Sequence, residues 1–341
     1  MTYTPPKNLK RYTEILKQKS PAQFRISQNI RLEFSKSDTT QTLWELHDKG
    51  IRKLHRQIED PTPPDEITRR EPSLLDLKTE LAERIIQNCT LCERLCRVNR
   101  REKEKGYCGV EGVSRYASEF LHTGEEPELT PSHTIFLTGC NLRCVYCQNW
   151  EISTSPQIGE PMLPERMIET ITLRHLQGSK NLNLVTPTPH THNILKTLQK
   201  LSINIPIIWN SNMYYTEETA RLLEGIVDIY LGDFRYGNDQ CAIELSDAPE
   251  YREIVLRNFR RAYHSGEILM RHLVLPGHIE CCTKKIIDLV KENIPHIRFN
   301  LMFQYRPEYR AHRYPQINRY LSAGEKEAAI QYATKLEDLL I

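Results

Sequence analysis

From residue 132 onward, short apolar runs alternate with longer amphipathic segments. The runs at 134–137 (TIFL), 182–185 (LNLV), 206–209 (PIIW), 226–231 (IVDIYL), 269–275 (LMRHLVL) and 296–303 (HIRFNLMF) have the length and composition of buried strands. Helical spacing fills the gaps, at 164–177, 193–201, 216–223, 251–264 and 282–293. Six strands alternating with five helices predict consecutive βα units and a parallel sheet. Right-handed crossovers would curl that sheet into a partial (β/α)6 barrel of the TIM type, an α/β fold. Chemistry in such a fold gathers at the C-terminal ends of the strands. A final helix at 324–340 is expected to pack on the outside.

Upstream, residues 1–80 are polar, with proline breaks at Pro5-Pro6 and at 61–64, the latter reading as a linker or hinge. Residues 74–86 (LLDLKTELAERII) return to helical spacing and lead into Cys89. The chain thus divides into a polar helical extension and linker (1–84), a four-cysteine module (85–126), a partial barrel (127–311) and a C-terminal helical segment (312–341).

The chain has 341 residues, 39% of them hydrophobic, which suffices for a sizeable core and argues against global disorder. The formal charge of +2, with both signs mixed throughout, carries no footprint for nucleic acid. No apolar run approaches the roughly 18 residues of a membrane span. The first ten residues lack the apolar heart of a signal peptide, so a cytoplasmic location is expected.

The ten cysteines change the picture. Seven of them lie within residues 89–147, at short spacings that read as metal ligation rather than as a disulfide framework. Cys140, Cys144 and Cys147 form C-x3-C-x2-C directly after the first predicted strand, on a loop at the C-terminal end of the sheet. Three thiolates on one short loop can ligate three irons of a 4Fe–4S cubane and leave the fourth iron open. That iron can chelate the amino and carboxylate groups of S-adenosylmethionine, whose reductive cleavage gives a 5′-deoxyadenosyl radical. A structural zinc ion would want a fourth closed ligand, whereas a catalytic zinc site would accept three. Tyr146, just before the third cysteine, is a candidate to lie against the adenine, or simply to pack the loop.

Cys89, Cys92, Cys96 and Cys108 give C-x2-C-x3-C-x11-C, with Gly106 and Gly109 beside the last of them to permit a tight turn. Four thiolates can close a tetrahedral zinc site or fill every corner of an auxiliary iron–sulfur cluster, and spacing does not separate the two.

The loop CNLRCVYCQNW resembles the signature of the radical S-adenosylmethionine superfamily. The segments NLVTPT (183–188), IIWNSN (207–212), DIYLGDFRY (228–236), RHLVLPG (271–277) and NLMFQYRP (300–307) resemble successive barrel segments of pyruvate formate-lyase activating enzyme-like iron–sulfur proteins. The resemblance covers roughly residues 85–335 and includes the N-terminal cysteine group. It implies that Asp233 and Arg235 line the cofactor pocket at an Asp-x-Lys step, with Arg in place of Lys. It also implies that Asn210 and Asn212 at the third strand end, and Arg271 of the fifth strand, face that pocket. The Gly-Gly-Glu motif that usually binds the methionine amino group is absent, and Thr186, Pro187 and Thr188 stand in its place. The resemblance further implies an electron donor such as a flavodoxin or ferredoxin, with activation of a glycyl-radical enzyme the reaction that the family name suggests and radical modification of another protein, a peptide or a small metabolite equally open.

Other positions carry weaker signals. Glu125 and Glu126 lie in the link to the barrel and can reach a substrate or form a solvated turn. His190 and His192 follow the second strand as proton donors or as a helix start. Gln304, Tyr305 and Arg306 follow the sixth strand. Cys281 and Cys282 read as buried free thiols, and Cys241 has no supporting motif. The rival from another class is a non-catalytic iron–sulfur electron carrier, which needs complete protein ligation; the three-cysteine loop leaves one iron without a protein ligand.

Overall fold

The structure is a computed structural model that describes residues 9–336, 339 and 340. One nine-stranded sheet carries the fold, in the order β3-β1-β2-β4-β5-β6-β7-β8-β9. In chain order the strands are β1 (Arg115–His122), β2 (Ser132–Leu137), β3 (Glu160–Pro161), β4 (Leu182–Val185), β5 (Ile207–Ser211), β6 (Ile229–Asp233), β7 (Glu267–Leu273), β8 (Arg298–Met302) and β9 (Leu339–Leu340). From β2 to β9 every pairing is parallel, whereas β1 runs antiparallel to both β2 and β3. The ends of the sheet do not pair with each other, so the structure is a partial barrel that does not close.

The six predicted strands are β2 and β4 to β8, with ends shifted by at most three residues. The sequence reading did not find β1. Its burial pattern along RYASEFLH alternates weakly, and the strand is held by antiparallel pairing across a turn rather than by a βα crossover. The final predicted helix is shorter than expected, ending at Ala333. Leu339 and Leu340 instead pair in parallel with Phe299 and Asn300 of β8, while residues 337 and 338 of that expectation lie outside the described residues.

Four helices precede the cysteine-rich segment: α1 (Lys10–Leu16), α2 (Gln23–Asn29), α3 (Thr40–Glu59) and α4 (Leu74–Ile85). Only α4 was predicted, and it opens on a reciprocal capping box between Ser73 and Asp76. Helix α3 hides its apolar face within a polar composition: Leu43, His47, Gly50, Ile51 and Leu54 recur on one side and are buried there. The extension packs against the N-terminal ends of the strands. Gln28 Nε2 donates to the carbonyls of Leu198 and Leu201 at 2.7 and 2.9 Å, and Ser27 Oγ to that of Gly225 at 2.6 Å. Leu9 and Tyr12 plug the barrel interior against Ile208, Ile229, Leu231 and Leu269. Among the described residues no helix is long and apolar enough to cross a membrane.

Two carboxylates, the buried Asp228 and the half-buried Glu267, fasten this plug. Glu267, the first residue of β7, accepts from the backbone N–H groups of Arg11 and Tyr12 at 2.8 and 2.7 Å, so it caps the N-terminus of α1. Asp228 accepts from the N–H groups of Gln23 and Ile207 at 3.0 and 2.9 Å. Burial nevertheless pushes Asp228 up to about 6 and Glu267 up to about 7, because these acceptor contacts offset only part of the desolvation. Both acids therefore hold a proton more tightly folded than unfolded. Their contribution to stability is full below the ordinary carboxylate range and is lost as pH rises through those two values. In thermal melts between about pH 4.5 and pH 8, wild type should lose stability with rising pH relative to Glu267→Gln. Parallel pH profiles for the two proteins would show that Glu267 is ionised throughout.

Candidate functional site

At the opposite end of the sheet a cavity of about 480 Å³ opens over the C-terminal ends of the strands. Its volume falls in the range of small-molecule and cofactor pockets. Cys140, Cys144 and Cys147 line it together with Tyr146, Asn210, Asn212, Asp233, Arg235 and Arg271. Residues separated by more than a hundred positions meet here because they stand on the last residues of, or the loops after, the four parallel strands β2, β5, β6 and β7.

The cysteine loop is cradled by polar groups. Arg235 Nη1 and Ser246 Oγ each lie 2.9 Å from Cys144 Sγ. The Leu142 N–H points at Cys140 Sγ from 3.4 Å, with Asn212 Nδ2 at 3.8 Å. Asn212 also donates to Asn141 Oδ1 at 2.8 Å, and Asn141 Nδ2 donates to the Tyr214 carbonyl at 2.7 Å. Ser246 ends the helix α9 (Asp239–Ser246), and the carbonyls of Leu245 and Ser246 receive the N–H groups of Val145 and Arg143. Nothing in the sequence pattern flagged Ser246, since α9 was not predicted and a lone serine carries no signature. Burial, followed by the neighbouring Cys144, pushes the Cys140 thiol up to about 12, and the Cys147 thiol shifts the same way for the same reasons. Buried thiols of this kind become thiolates only beside a cation, which suits a donor set for a metal or a cluster.

Tyr146 does two things at once. Its hydroxyl pairs with Tyr236 at 2.7 Å and its ring meets the edge of Tyr305 at 5.9 Å, while the ring also lines the cavity. Asp233 forms an ion pair with Arg235 at 2.5 Å. Arg271 is already engaged: its Nε and Nη2 grip Glu126 at 2.7 and 2.6 Å, and Nη2 also reaches Glu125. Asn300 adds a bond to Glu126 at 2.7 Å, and His122 lies 3.1 Å from Glu125. His122, Gly124 and Glu125 therefore line the cavity with Glu126 buried behind them, while Thr123 and Pro127 of the same segment are exposed. Thr186, which stands in place of the absent Gly-Gly-Glu motif, also lines the cavity. Its φ of +60° is uncommon for a β-branched residue and costs about 1–3 kcal/mol, a strain of the kind that concentrates at functional sites.

His190 and His192 stand apart from the cavity. Both are fully buried; their Nε2 atoms donate to the carbonyls of Thr138 and Gly112 at 2.9 and 2.8 Å. Burial and the nearby Arg100 lower both, His190 to about 3, so they are neutral braces beneath the loop. Tyr305 is also a packing residue, its hydroxyl donating to the Ile317 carbonyl at 2.7 Å, while Gln304 faces the cavity. Arg306 pairs with Glu308 at 3.0 Å.

The four-cysteine segment lies against this loop. A Cβ built on Gly139, the residue before Cys140, would sit 2.8 Å from the Cys108 carbonyl and 2.7 Å from Val110 Cγ2. The Tyr107 ring is sandwiched between the guanidinium groups of Arg94 and Arg143, at 3.7 and 4.3 Å from its centroid. Arg94 Nε donates to the Asn141 carbonyl at 2.9 Å and Arg143 Nη1 to that of Cys140 at 2.7 Å. Arg100 is 1% exposed, and among the described residues no carboxylate pairs with it; its Nη1 points at Cys89 Sγ from 4.0 Å.

The profile of the Radical SAM superfamily matches residues 134–290. An uncharacterized protein of Methanocaldococcus jannaschii, MJ0674, is 45% identical over 336 residues, which span 96% of this chain and 97% of the relative. The chain belongs to the radical SAM superfamily. A second uncharacterized protein of the same organism, MJ0808, is 31% identical over 100 residues, 24% of this chain and 29% of that one. Among solved structures, HydG, a maturase of the FeFe-hydrogenase, aligns over 90% of this chain and 64% of its own at 15% identity and a TM-score of 0.43. The chain thus spans a little under two thirds of HydG and about three tenths of MJ0808. Superfamily membership makes this radical SAM protein an enzyme whose cofactors are a 4Fe–4S cluster and S-adenosylmethionine.

Gly139 tests the contact between the two cysteine segments. Its φ of +77° and the 2.8 Å approach to the Cys108 backbone both exclude a side chain. Gly139→Ala should destabilise the fold by about 1–3 kcal/mol from backbone strain alone, and by more from overlap. A melting temperature equal to that of wild type would mean that the two segments do not touch.

Proposed function

We propose that Cys140, Cys144 and Cys147 hold the catalytic cluster and that the cavity above them receives S-adenosylmethionine and the substrate. The observation that carries this reading is the convergence of the three thiols, Asn210, Asn212, Asp233 and Arg235 on one cavity of about 480 Å³. Bound there, the cluster and S-adenosylmethionine supply a 5′-deoxyadenosyl radical by one-electron cleavage of the sulfonium bond. Arg235 holds its positive charge against Cys144 Sγ and so favours the reduced, more negative state of the site. Ser246 adds a neutral hydrogen bond to the same sulfur. Asn210 and Asn212 offer amide donors and acceptors to the polar end of the cofactor, and the strained Thr186 presents its backbone where the missing motif would stand. Arg271, neutralised by Glu125 and Glu126, shapes the wall rather than capturing a free carboxylate.

The reaction we propose is hydrogen abstraction from a polypeptide, of the kind that activates a glycyl-radical enzyme. Two features support a large substrate: the sheet does not close, and Trp150 stacks on Tyr309 at 5.2 Å just beyond the lining residues Gln148 and Asn149, still 37% exposed. Reduction would come from a flavodoxin- or ferredoxin-type donor.

We read Cys89, Cys92, Cys96 and Cys108 as an auxiliary iron–sulfur site. Among the described residues, no three of these sulfurs lie within 4.8 Å of one another, a wider spread than the roughly 3.8 Å edge of a zinc–thiolate tetrahedron. The buried Arg100 beside Cys89 supplies the charge that an anionic thiolate cluster requires.

Replacing Cys140, Cys144 and Cys147 together by Ala should remove one 4Fe–4S cluster and all 5′-deoxyadenosine formation, while iron and sulfide persist at the four-cysteine segment. Continued formation of 5′-deoxyadenosine by that variant would end the reading, and zinc in place of residual iron would reassign the auxiliary site. Arg235→Gln, loaded with iron to the level of wild type, should show a more negative midpoint potential for the catalytic cluster in a redox titration. An unchanged midpoint would remove Arg235 from that role.

A further inference from the structure

Three residues unconnected with the cavity meet on the loops that follow β6 and β7. Cys241 lies in the first turn of α9, His278 in the turn after β7, and Cys281 in a π-helical turn (Ile279–Thr283) that leads into α11 (Lys284–Asn293). Their ligand atoms all lie within 4.8 Å of one another, the only such group of three or more His, Cys, Asp or Glu side chains among the described residues. We propose that they bind a zinc-type soft divalent cation, at a site separate from both cysteine segments described above.

The spacing fits a single ion. Cys241 Sγ and Cys281 Sγ are 3.8 Å apart, as are Cys281 Sγ and Cys282 Sγ. Zinc–sulfur bonds of ~2.3 Å in a tetrahedron place the sulfurs about 3.8 Å apart. The histidine is set up as a ligand: its Nδ1 donates to the Pro276 carbonyl at 2.7 Å, which fixes the tautomer and leaves Nε2 with its lone pair. Asn238 orders the thiols from a second side. Its Nδ2 donates to Cys241 Sγ at 3.1 Å and to the Cys281 carbonyl at 3.0 Å, and its Oδ1 accepts from the Cys241 N–H at 2.9 Å. The π-helical turn widens the start of α11 and places Cys281 and the buried Cys282 side by side, an irregularity that recurs at functional sites. Cys241, Cys281 and His278 supply three positions and leave the fourth open, while Cys282 Sγ, 3.8 Å from Cys281 Sγ, lies outside the group.

The location gives the ion a task. Helix α9 starts at Cys241's turn and ends at Ser246, whose hydroxyl lies 2.9 Å from Cys144 Sγ. A cation at one end of this short helix fixes the end that grips the catalytic loop.

The test is metal analysis of the full chain, purified anaerobically with zinc in the growth medium. Wild type should carry about one more zinc per chain than the double variant C241S/C281S, with equal iron and sulfide in the two proteins. Equal zinc contents would overturn the proposal, as would a Cys241–Cys281 disulfide in a peptide map of the anaerobic protein. If the double variant loses iron as well, H278Q keeps both thiols and carries the test. Its zinc affinity in competition with a chelator should fall by roughly tenfold or more at unchanged iron content. Zinc retention equal to wild type in that variant would likewise overturn the site.

Discussion

Burying sulfur ligands at one end of a sheet is the constraint on which the rest of this structure depends. A thiol in a low-dielectric setting resists ionisation, and several thiols close together resist it further. The protein answers with cations placed against the sulfurs or against the backbone that carries them. Arg235 meets Cys144, Arg100 lies by Cys89, and Arg94 and Arg143 bind carbonyls within the loop of Cys140 to Cys147 while clasping Tyr107 between them. Because Gly139 touches the Cys108 backbone, the two cysteine segments form a single packed unit and neither can shift alone.

The two ends of the barrel solve opposite problems. At the N-terminal ends of the strands the interior is filled, by Leu9 and Tyr12 against aliphatic side chains, and Glu267 there accepts from two backbone N–H groups. At the C-terminal ends it stays open, walled by Glu125, Asp233, Arg235 and Arg271, with Glu126 buried behind Arg271, and these charges largely cancel in pairs. Such pairing holds the wall rigid without leaving a buried charge uncompensated.

The barrel was legible in the sequence because its signal is local. Each buried parallel strand is a short apolar run, and each helix between them keeps one apolar stripe, so β2 and β4 to β8 emerge from periodicity alone. Strand β1 and helix α9 were not legible. The first is half-exposed and owes its existence to antiparallel partners, and the second is an eight-residue helix whose purpose lies at its two ends. The N-terminal helices were masked in the same way: α2 buries Gln23, Ser27 and Gln28, polar side chains that become core residues only because carbonyls of a helix end and of the turn before β6 wait for them.

The sequence by itself determined the chemistry that this protein carries. The C-x3-C-x2-C spacing and the segments that follow each strand are short-range patterns, and they pointed to the superfamily before any coordinates. Tertiary structure decided which groups those cysteines meet. That Arg271 is spent on Glu125 and Glu126, that Ser246 reaches Cys144, and that Cys241 joins His278 and Cys281 all depend on loops tens to more than a hundred residues apart being carried to one rim. Spacing along a chain fixes what one loop can ligate, but convergence between loops follows only from the curvature of the sheet that holds them.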